Sequence, residues 1–238
     1  MSKWAVVTGA TAGIGESFTR ILAHEGFDIV LVARDLQRMK ERAAHLESQF
    51  NVKTAIIQAD LATDDGCAKV EKYISENQIE VLINNAGFGI NKAFSVSDID
   101  SEQQLLDVLV RTPMRLMHTV IPQMKERNSG AIINVSSVAG WIAGGTYSAS
   151  KSYLTVLSES LHTEMSGTGV KISALCPGFT RTEFHQRGRM KMAGLPEFMW
   201  LNSDRLVAQS WKDAQSGKAV SIPGWQYKLL VGFISIVP

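Results

Sequence analysis

Short apolar runs alternate along the chain with longer stretches in which apolar residues recur every three or four positions. The runs predict strands, because a strand buried on both faces is apolar throughout, and the longer stretches predict amphipathic helices. Predicted strands cover 5–7, 27–32, 53–58, 81–83, 131–135, 171–176 and 219–222. Predicted helices run from about 14 to a stop at Gly26, over 36–49, from about 63, over 102–127 with a bend at Pro113, and over 147–165 and 203–216. The alternation indicates an α/β protein.

A glycine-rich turn joins the first strand to the first helix. Its spacing is G-x-x-x-G-x-G, with Thr11 and Ile14 between the glycines Gly9, Gly13 and Gly15. A glycine turn between a strand and a helix lets the backbone approach a pyrophosphate and directs the helix N-terminus at it. A flexible loop between two core elements is the alternative, but the flanking strand and helix favour phosphate binding.

The residues after the second and third strands indicate the kind of nucleotide. Arg34 follows the second strand, where an acid suits a free ribose 2′-hydroxyl and an arginine suits a 2′-phosphate. This favours NADP(H) over NAD(H), although Asp35 comes next and Arg34 could instead pair with a helix N-terminus or a neighbour. Asp60 follows the third strand and could accept from the adenine amino group or cap the helix that begins near Thr63.

Small and hydroxyl-bearing residues end the fourth and fifth strands. The stretch 84–87 follows the fourth strand, and small residues at this edge let a ligand lie against the backbone. An Asn-rich turn is the alternative. Ser136 and Ser137 follow the fifth strand, and a serine there could hydrogen-bond a substrate carbonyl oxygen or simply stabilise a turn.

Tyr147 and Lys151 lie one turn apart on the same face of a predicted helix. A free tyrosine has a pKa of about 10 and is a poor acid or base at neutral pH. A nearby cation favours the phenolate and lowers that pKa, so the pair suits proton transfer. The same spacing also occurs on exposed helix faces that have no catalytic role. Other motifs in the chain are therefore needed to distinguish a catalytic pair from a chance one.

The segment from about 179 to 202 has no clear periodicity. A long irregular segment in a compact domain is usually functional, and we interpret this one as a lid over the substrate. Four aromatic residues are expected to line an apolar pocket: Trp141, Phe184, Phe198 and Trp200. The basic residues of the segment could meet an anionic substrate tail or face solvent: Arg181, Arg187, Arg189 and Lys191.

The stretch 228–237 is apolar but too short to span a bilayer. Contact between subunits is the first interpretation, and weak association with a membrane surface is the second. We therefore expect a homodimer or a homotetramer.

The composition of the chain limits the classes of protein to which it can belong. With 238 residues, 45% of them hydrophobic and 20% charged, the chain is expected to form one domain over 1–238. A formal net charge of +1 gives no support for nucleic-acid binding. Two cysteines, Cys67 and Cys176, and the lack of a signal peptide fit the cytoplasm, and no second ligand stands at metal-binding spacing around His118.

Several motifs occur in order, each after a predicted strand or on a predicted helix. They are T-G-x-x-x-G-I-G at 8–15, N-N-A-G at 84–87, S-S-V-A-G at 136–140, Y-S-A-S-K at 147–151 and P-G at 177–178. With them the chain resembles the short-chain dehydrogenase/reductase family from Trp4 to about Thr182. The resemblance implies a doubly wound, Rossmann-like parallel sheet of about seven strands with helices on both faces. It also implies hydride transfer between a nicotinamide dinucleotide and a carbonyl or alcohol carbon.

The resemblance assigns roles to individual residues. Tyr147 would be the general acid/base, Lys151 would lower its pKa and hold the nicotinamide ribose, and Ser137 would orient the substrate oxygen. The cofactor would lie against Gly9, Thr11, Gly13, Ile14 and Gly15 at its pyrophosphate, Arg34, Asp60 and Leu61 around the adenosine, Asn85, Ala86 and Gly87 at the adjacent ribose, and Pro177, Gly178, Phe179, Thr180 and Thr182 at the nicotinamide.

Two features depart from the family pattern. The family places an Asn 22 residues after Gly87, and its backbone carbonyl holds a water that relays protons to the lysine; that position is Leu109 here. Leucine keeps the carbonyl but lacks the amide, so we expect a weakened or rerouted relay with hydride transfer intact. The gap from Ser137 to Tyr147 is also shorter than usual by about three residues, which the flexible Gly144-Gly145 pair could accommodate.

The sequence thus predicts an NADPH-preferring reductase of small or medium apolar ketones or aldehydes, which also runs in reverse as an alcohol dehydrogenase. A nucleotide-binding sensor or scaffold with a vestigial active site is the alternative from another class, and Leu109 favours it. A sugar-nucleotide epimerase or dehydratase is disfavoured, because little chain remains beyond the sheet for a sugar-nucleotide domain.

Overall fold

The computed structural model describes residues 3–184 and 194–234. Seven strands form one sheet in the order β3-β2-β1-β4-β5-β6-β7, and every neighbouring pair is parallel. The strands are β1 (Trp4–Thr8), β2 (Asp28–Ala33), β3 (Thr54–Gln58), β4 (Ile79–Asn84), β5 (Gly130–Val135), β6 (Val170–Leu175) and β7 (Val220–Ser221). The doubly wound parallel sheet predicted from the resemblance is confirmed.

Helices cover both faces of the sheet. They are α1 (Gly13–His24), α2 (Leu36–Phe50), α3 (Asp64–Glu76), α4 (Ile99–Leu106), α5 (Thr112–Glu126), α6 (Gly145–Glu164), α7 (Ser203–Gln215) and α8 (Trp225–Ile234). One core contains buried side chains of α3, α5 and α6, and the other contains buried side chains of α1, α2 and α7. Because both faces of the central strands are buried, these strands are apolar throughout, which is the pattern that made them visible in the sequence.

The helix predicted over 102–127 differs in the structure. It begins at Ile99 and consists of α4 and α5 joined by a π-helical turn, Asp107–Arg111. The Thr112 N–H donates to the Asp107 carbonyl oxygen, five residues back. Pro113 lies in the first turn of α5, where its missing N–H costs little. The irregularity therefore lies just before the proline.

The order of the strands creates a crevice at the carboxyl edge of the sheet. The chain passes from β1 outward to β2 and β3, then returns to place β4 on the other side of β1. Ligands of open α/β sheets bind where the strand order reverses in this way. Within 3–184 and 194–234, no helix is both long and apolar enough to cross a membrane.

Candidate active site

A hydrogen-bonded link joins the ends of β1 and β4 at this crevice. The Thr8 hydroxyl donates to the Ile83 carbonyl oxygen at 3.2 Å and accepts from the Asn85 N–H at 2.9 Å and the Ala86 N–H at 3.0 Å. The Asn85 side-chain amide donates to the carbonyl oxygens of Thr8 at 2.9 Å and Gly9 at 3.2 Å. Sequence reasoning gave Thr8 no role, although it is the first residue of the glycine motif.

The glycine turn packs too closely for side chains. Gly13 has a φ of +56°, and a Cβ there would lie 2.8 Å from Thr182 Cβ. A Cβ on Gly15 would lie 2.2 Å from the Gly9 carbonyl oxygen. Ala12 stands at the N-cap of α1 and makes no side-chain cap hydrogen bond, so the first N–H groups of α1 remain available to an anion. The turn thus has the shape and the donors that a pyrophosphate requires.

The expected adenosine site is a cavity of about 350 Å³ beside β3, lined by Arg34, Gln58, Ala59, Asp60, Thr63, Asp65, Gly66 and Lys69. Arg34 is exposed, and the helix N-terminus next to it is capped by Asp35, which accepts from the Arg38 N–H at 3.0 Å. The N-cap of α3 is Thr63, which accepts from the Gly66 N–H, while Asp60 Oδ1 accepts from the Ala62 N–H at 3.1 Å. The capping alternative for Asp60 is therefore wrong. Leu61 lies in the core at 5% exposure.

A second arginine near this cavity was missed from the sequence. Arg38, in the first turn of α2, makes a two-pronged ion pair with Glu183 at 3.0 and 2.8 Å. The neighbouring residue Thr182 covers Gly13. Glu183 raises the pKa of Arg38 further above its usual value. The segment after β6 is thus anchored over the glycine turn by one packing contact and one ion pair. Both contacts join residues that are far apart in the chain, so the sequence does not predict them.

Tyr147 and Lys151 lie in the first two turns of α6, behind the end of β5. The Lys151 Nζ is 5.6 Å from the centre of the Tyr147 ring and donates to the Val135 carbonyl oxygen at 2.7 Å. Ser137 follows Val135 by two residues, and its hydroxyl accepts from the Ala139 N–H at 3.1 Å. The structure therefore brings the three predicted catalytic side chains, Ser137, Tyr147 and Lys151, to one place.

Burial controls the protonation of this pair. Burial raises the pKa of Tyr147 to about 12, and interaction with the Ser137 hydroxyl opposes the rise. Burial lowers the pKa of Lys151 to about 8. The expected lowering of the Tyr147 pKa by Lys151 is therefore outweighed, because the phenol is desolvated and the ammonium donates to Val135. At neutral pH the tyrosine carries its proton.

A buried polar cluster supports Lys151 from behind. The Lys151 carbonyl oxygen accepts from the hydroxyls of Ser136 at 2.6 Å and Thr155 at 3.0 Å. Cys176 Sγ lies 3.6 Å from the Thr155 hydroxyl, and burial raises the pKa of its thiol to about 11. A neutral thiol is a weak nucleophile, so Cys176 serves here as a small buried packing residue.

Leu109 lies inside the π-helical turn. It is 1% exposed, and its Cδ2 would lie 2.9 Å from a Cβ on Gly87. The leucine therefore packs against the backbone that follows β4. A π-helical turn shifts the hydrogen-bond pattern locally, so the irregularity of this helix is present without an asparagine amide.

The loop after β6 approaches the same site. The Pro177 carbonyl oxygen accepts from the Val138 N–H at 3.0 Å, and the Thr180 hydroxyl donates to the Gly178 carbonyl oxygen at 3.0 Å. The Phe184 ring lies 6.0 Å from the Tyr147 ring, centre to centre. The loop thus brings an aromatic side chain to Tyr147, while a role of Phe184 in lining the substrate stays a prediction.

The other three predicted substrate-lining residues are Phe198, Trp200 and Trp141. Phe198 is 60% exposed, and the Trp200 ring lies 6.1 Å from the Phe179 ring. Trp141 lines an open cavity of about 550 Å³ beside the α6 face that carries Gly145, Ala149 and Ser152. Tyr147 and Lys151 are not among its lining residues. Part of the predicted lid, with Arg187, Arg189 and Lys191, lies outside the described residues.

Comparisons with known proteins agree with this geometry. The sequence profile of the short chain dehydrogenase family matches residues 3–193. A very-long-chain 3-oxoacyl-CoA reductase of Rattus norvegicus is 33% identical over 190 residues, which are 77% of this chain and 61% of that protein. The chain thus spans less than two thirds of the length of this relative.

Solved structures are similar over nearly the whole chain. A short-chain dehydrogenase from Sphingobium yanoikuyae in complex with NADPH has a TM-score of 0.90 at 31% identity, covering 99% of this chain and 96% of that one. The bulky-bulky ketone specific alcohol dehydrogenase from Comamonas testosteroni has a TM-score of 0.84 at 29% identity, covering 99% and 95%. With its glycine turn, its Ser-Tyr-Lys arrangement and these likenesses, the chain belongs to the short chain dehydrogenase family.

Proposed function

We propose that the protein is an NADP(H)-dependent oxidoreductase that interconverts a ketone or aldehyde and the corresponding alcohol. The observation that carries the proposal is the convergence of Ser137, Tyr147 and Lys151 at the crevice beside the glycine turn. The named relatives support it, since they include a carbonyl reductase and an alcohol dehydrogenase.

The residues of the crevice fit a dinucleotide cofactor. The glycine turn and the uncapped start of α1 suit the pyrophosphate. Arg34 offers an exposed cation at the mouth of the adenosine cavity, which suits a 2′-phosphate. When bound, the reduced nicotinamide supplies the hydride.

Residues of the chain supply the proton for the reduction. Ser137 is placed to orient the substrate oxygen, and Tyr147, protonated at neutral pH, gives its proton to that oxygen as the carbonyl is reduced. The proton transfer leaves a phenolate on Tyr147. The Lys151 ammonium, buried 5.6 Å from the centre of that ring, stabilises the negative charge that develops there.

An apolar substrate fits the surroundings of Tyr147 best. Phe184 presents an aromatic ring 6.0 Å from the tyrosine. We propose a small or medium apolar carbonyl compound. The pKa of Tyr147 of about 12 keeps its hydroxyl protonated, which is the form that carbonyl reduction requires.

A nucleotide-binding sensor with a vestigial active site is the second candidate. Leu109 in place of the family's Asn is the observation that favours it. The retained Ser137, Tyr147 and Lys151 oppose it. Nucleotide binding without turnover of any carbonyl compound distinguishes this candidate from the first.

We also propose a cytoplasmic homodimer or homotetramer. One face of α8 exposes a stripe of apolar side chains one turn apart: Trp225, Leu229 and Phe233. Such a stripe is commonly covered by a partner. Light scattering of the purified protein measures the assembly, and a monomer with affinity for lipid vesicles would favour the alternative of weak membrane-surface association.

Thermal stability with NADPH, NADP⁺, NADH and NAD⁺ added separately tests the cofactor assignment. A ligand at about 100 times its Kd adds roughly 2.7 kcal/mol to the free energy of unfolding. We expect larger stabilisation by the two phosphorylated nucleotides. Equal or greater stabilisation by NADH would contradict the role of Arg34, and no response to any of the four would reject the proposed function.

A further inference from the structure

The C-terminal helix α8 reaches the loop that follows β6 through one side chain. Tyr227 is buried, with 1% of its surface exposed. Its hydroxyl accepts from the Phe179 N–H at 2.9 Å and donates to the Met199 carbonyl oxygen at 2.6 Å. A single phenol therefore connects α8, the loop after β6 and the segment that precedes α7.

The Tyr227 ring also packs directly on the loop. A Cβ on Gly178 would lie 1.9 Å from Cζ of Tyr227, so the phenol end of the ring occupies the space that a side chain would need. The Phe179 carbonyl oxygen accepts from the Leu201 N–H at 2.8 Å. The loop is thus held by Tyr227 through packing and a hydrogen bond, and by the segment after Met199 through its backbone.

The same ring packs in a buried cluster that contains the neighbour of Ser137. Val138, which follows Ser137, belongs to the buried cluster of Tyr227 and Val231. The Val138 N–H donates to the Pro177 carbonyl oxygen at 3.0 Å. A shift of the Tyr227 ring would therefore be transmitted to the residues on both sides of the nicotinamide end of the crevice.

We propose that Tyr227 is a positioning residue that holds the loop at Gly178 and Phe179 in place for the nicotinamide half of the cofactor. The inference rests on the proposed function. Tyr227 lies beyond residue 193, where the match to the family profile ends, so the family motifs do not predict it. The adenosine cavity lies at β3, on the other side of β1 from this loop, and Tyr227 should not affect it.

Tyr227→Phe tests the proposal because it removes the hydroxyl and keeps the ring. Two probes are titrated: NADPH, and adenosine 2′,5′-bisphosphate, which lacks the nicotinamide half. We expect the Kd of NADPH to rise about three- to tenfold and the fluorescence enhancement of bound NADPH to fall. The Kd of adenosine 2′,5′-bisphosphate should change less than twofold.

Tyr73→Phe, at a half-buried tyrosine on α3, is the matched control and should leave both affinities unchanged. Equal weakening of both ligands by Tyr227→Phe would reveal a general structural role and overturn the proposal, as would no change in either. If Tyr227→Phe does not fold, Gly178→Ala, which pushes the loop from the ring, should produce the same difference between the ligands. A wild-type protein that binds neither ligand would reject the proposed function, and this inference with it.

Discussion

The buried ammonium of Lys151 lies 5.6 Å from the centre of the Tyr147 ring and donates to the Val135 carbonyl oxygen at 2.7 Å. Burial moves the two pKa values apart in the direction that favours the neutral forms, to about 12 for Tyr147 and about 8 for Lys151. Tyr147 is thus protonated over the whole physiological pH range. Lys151 is the group whose charge changes close to that range.

The pH dependence of carbonyl reduction should therefore follow Lys151. We expect kcat to be level from about pH 6 to 7 and to fall with an inflection near pH 8, because a neutral lysine stabilises the tyrosine phenolate less. Lys151→Arg keeps its charge across this range, so its residual activity should lack the inflection. A wild-type profile with its only alkaline inflection near pH 10 would contradict this assignment.

Lys151 should also lower the free energy of unfolding at neutral pH. Its folded-state pKa of about 8 lies below the 10.5 of an unperturbed lysine. Between these values the unfolded chain binds more protons, so the free energy of unfolding rises with pH across that window. Lys151→Met should stabilise the protein by about 2 kcal/mol at pH 7, after the loss of the Val135 hydrogen bond, and the gain should disappear above about pH 10.5. Urea titrations at both pH values measure it, and a variant less stable than wild type at pH 7 would contradict the argument.

Arg34 should select the phosphorylated cofactor. Arg34→Ala should raise the Kd of NADPH about 10- to 100-fold and leave that of NADH nearly unchanged, because only the 2′-phosphate loses a charged partner. The wild-type affinity for NADPH should also weaken with salt. Lys40→Ala, an exposed cation on α2, is the control. Parallel loss of both cofactors in Arg34→Ala would indicate a structural role instead.

Thr8 should be a structural requirement of the crevice. Thr8→Val keeps the shape but removes a hydroxyl that makes three hydrogen bonds at the ends of β1 and β4. We expect a loss of about 2 kcal/mol in the free energy of unfolding, while Thr8→Ser, which keeps the hydroxyl, should lose less than about 1 kcal/mol. A loss in Thr8→Ser as large as that in Thr8→Val, measured by urea unfolding, would contradict the assignment of this stability to the hydroxyl.

The sequence predicted the sheet and the site where local pattern carries the information. The central strands are apolar on both faces, the glycine turn must be small at Gly13 and Gly15, and Tyr147 and Lys151 are one helical turn apart. Each of these features involves residues that are close in the chain. Predicting them does not depend on contacts between residues that are far apart in the chain.

What the sequence did not predict depends on distant contacts. Arg38 meets Glu183 across 145 residues, and Tyr227 meets Phe179 across 48, so neither pairing leaves a local signal. The π-helical turn contains Leu109, which packs beside Gly87, 22 residues earlier in the chain. The position of Lys151 one turn from Tyr147 predicts a lowered Tyr147 pKa, but the burial of the phenol, which the local sequence does not show, is the larger effect and raises it.

The most direct test of the central claim follows the hydride and the proton donor together. NADPH with both hydrogens at C4 of the nicotinamide replaced by deuterium is incubated with a panel of apolar ketones and aldehydes, and the alcohols are analysed by mass spectrometry. We expect deuterium on the carbinol carbon with the wild-type protein, and turnover reduced about 10²- to 10⁴-fold in Tyr147→Phe with unchanged NADPH affinity; Tyr153→Phe, an exposed tyrosine on the same helix, should remain active. Binding of NADPH without deuterium transfer to any carbonyl compound, or full turnover by Tyr147→Phe, would contradict the account.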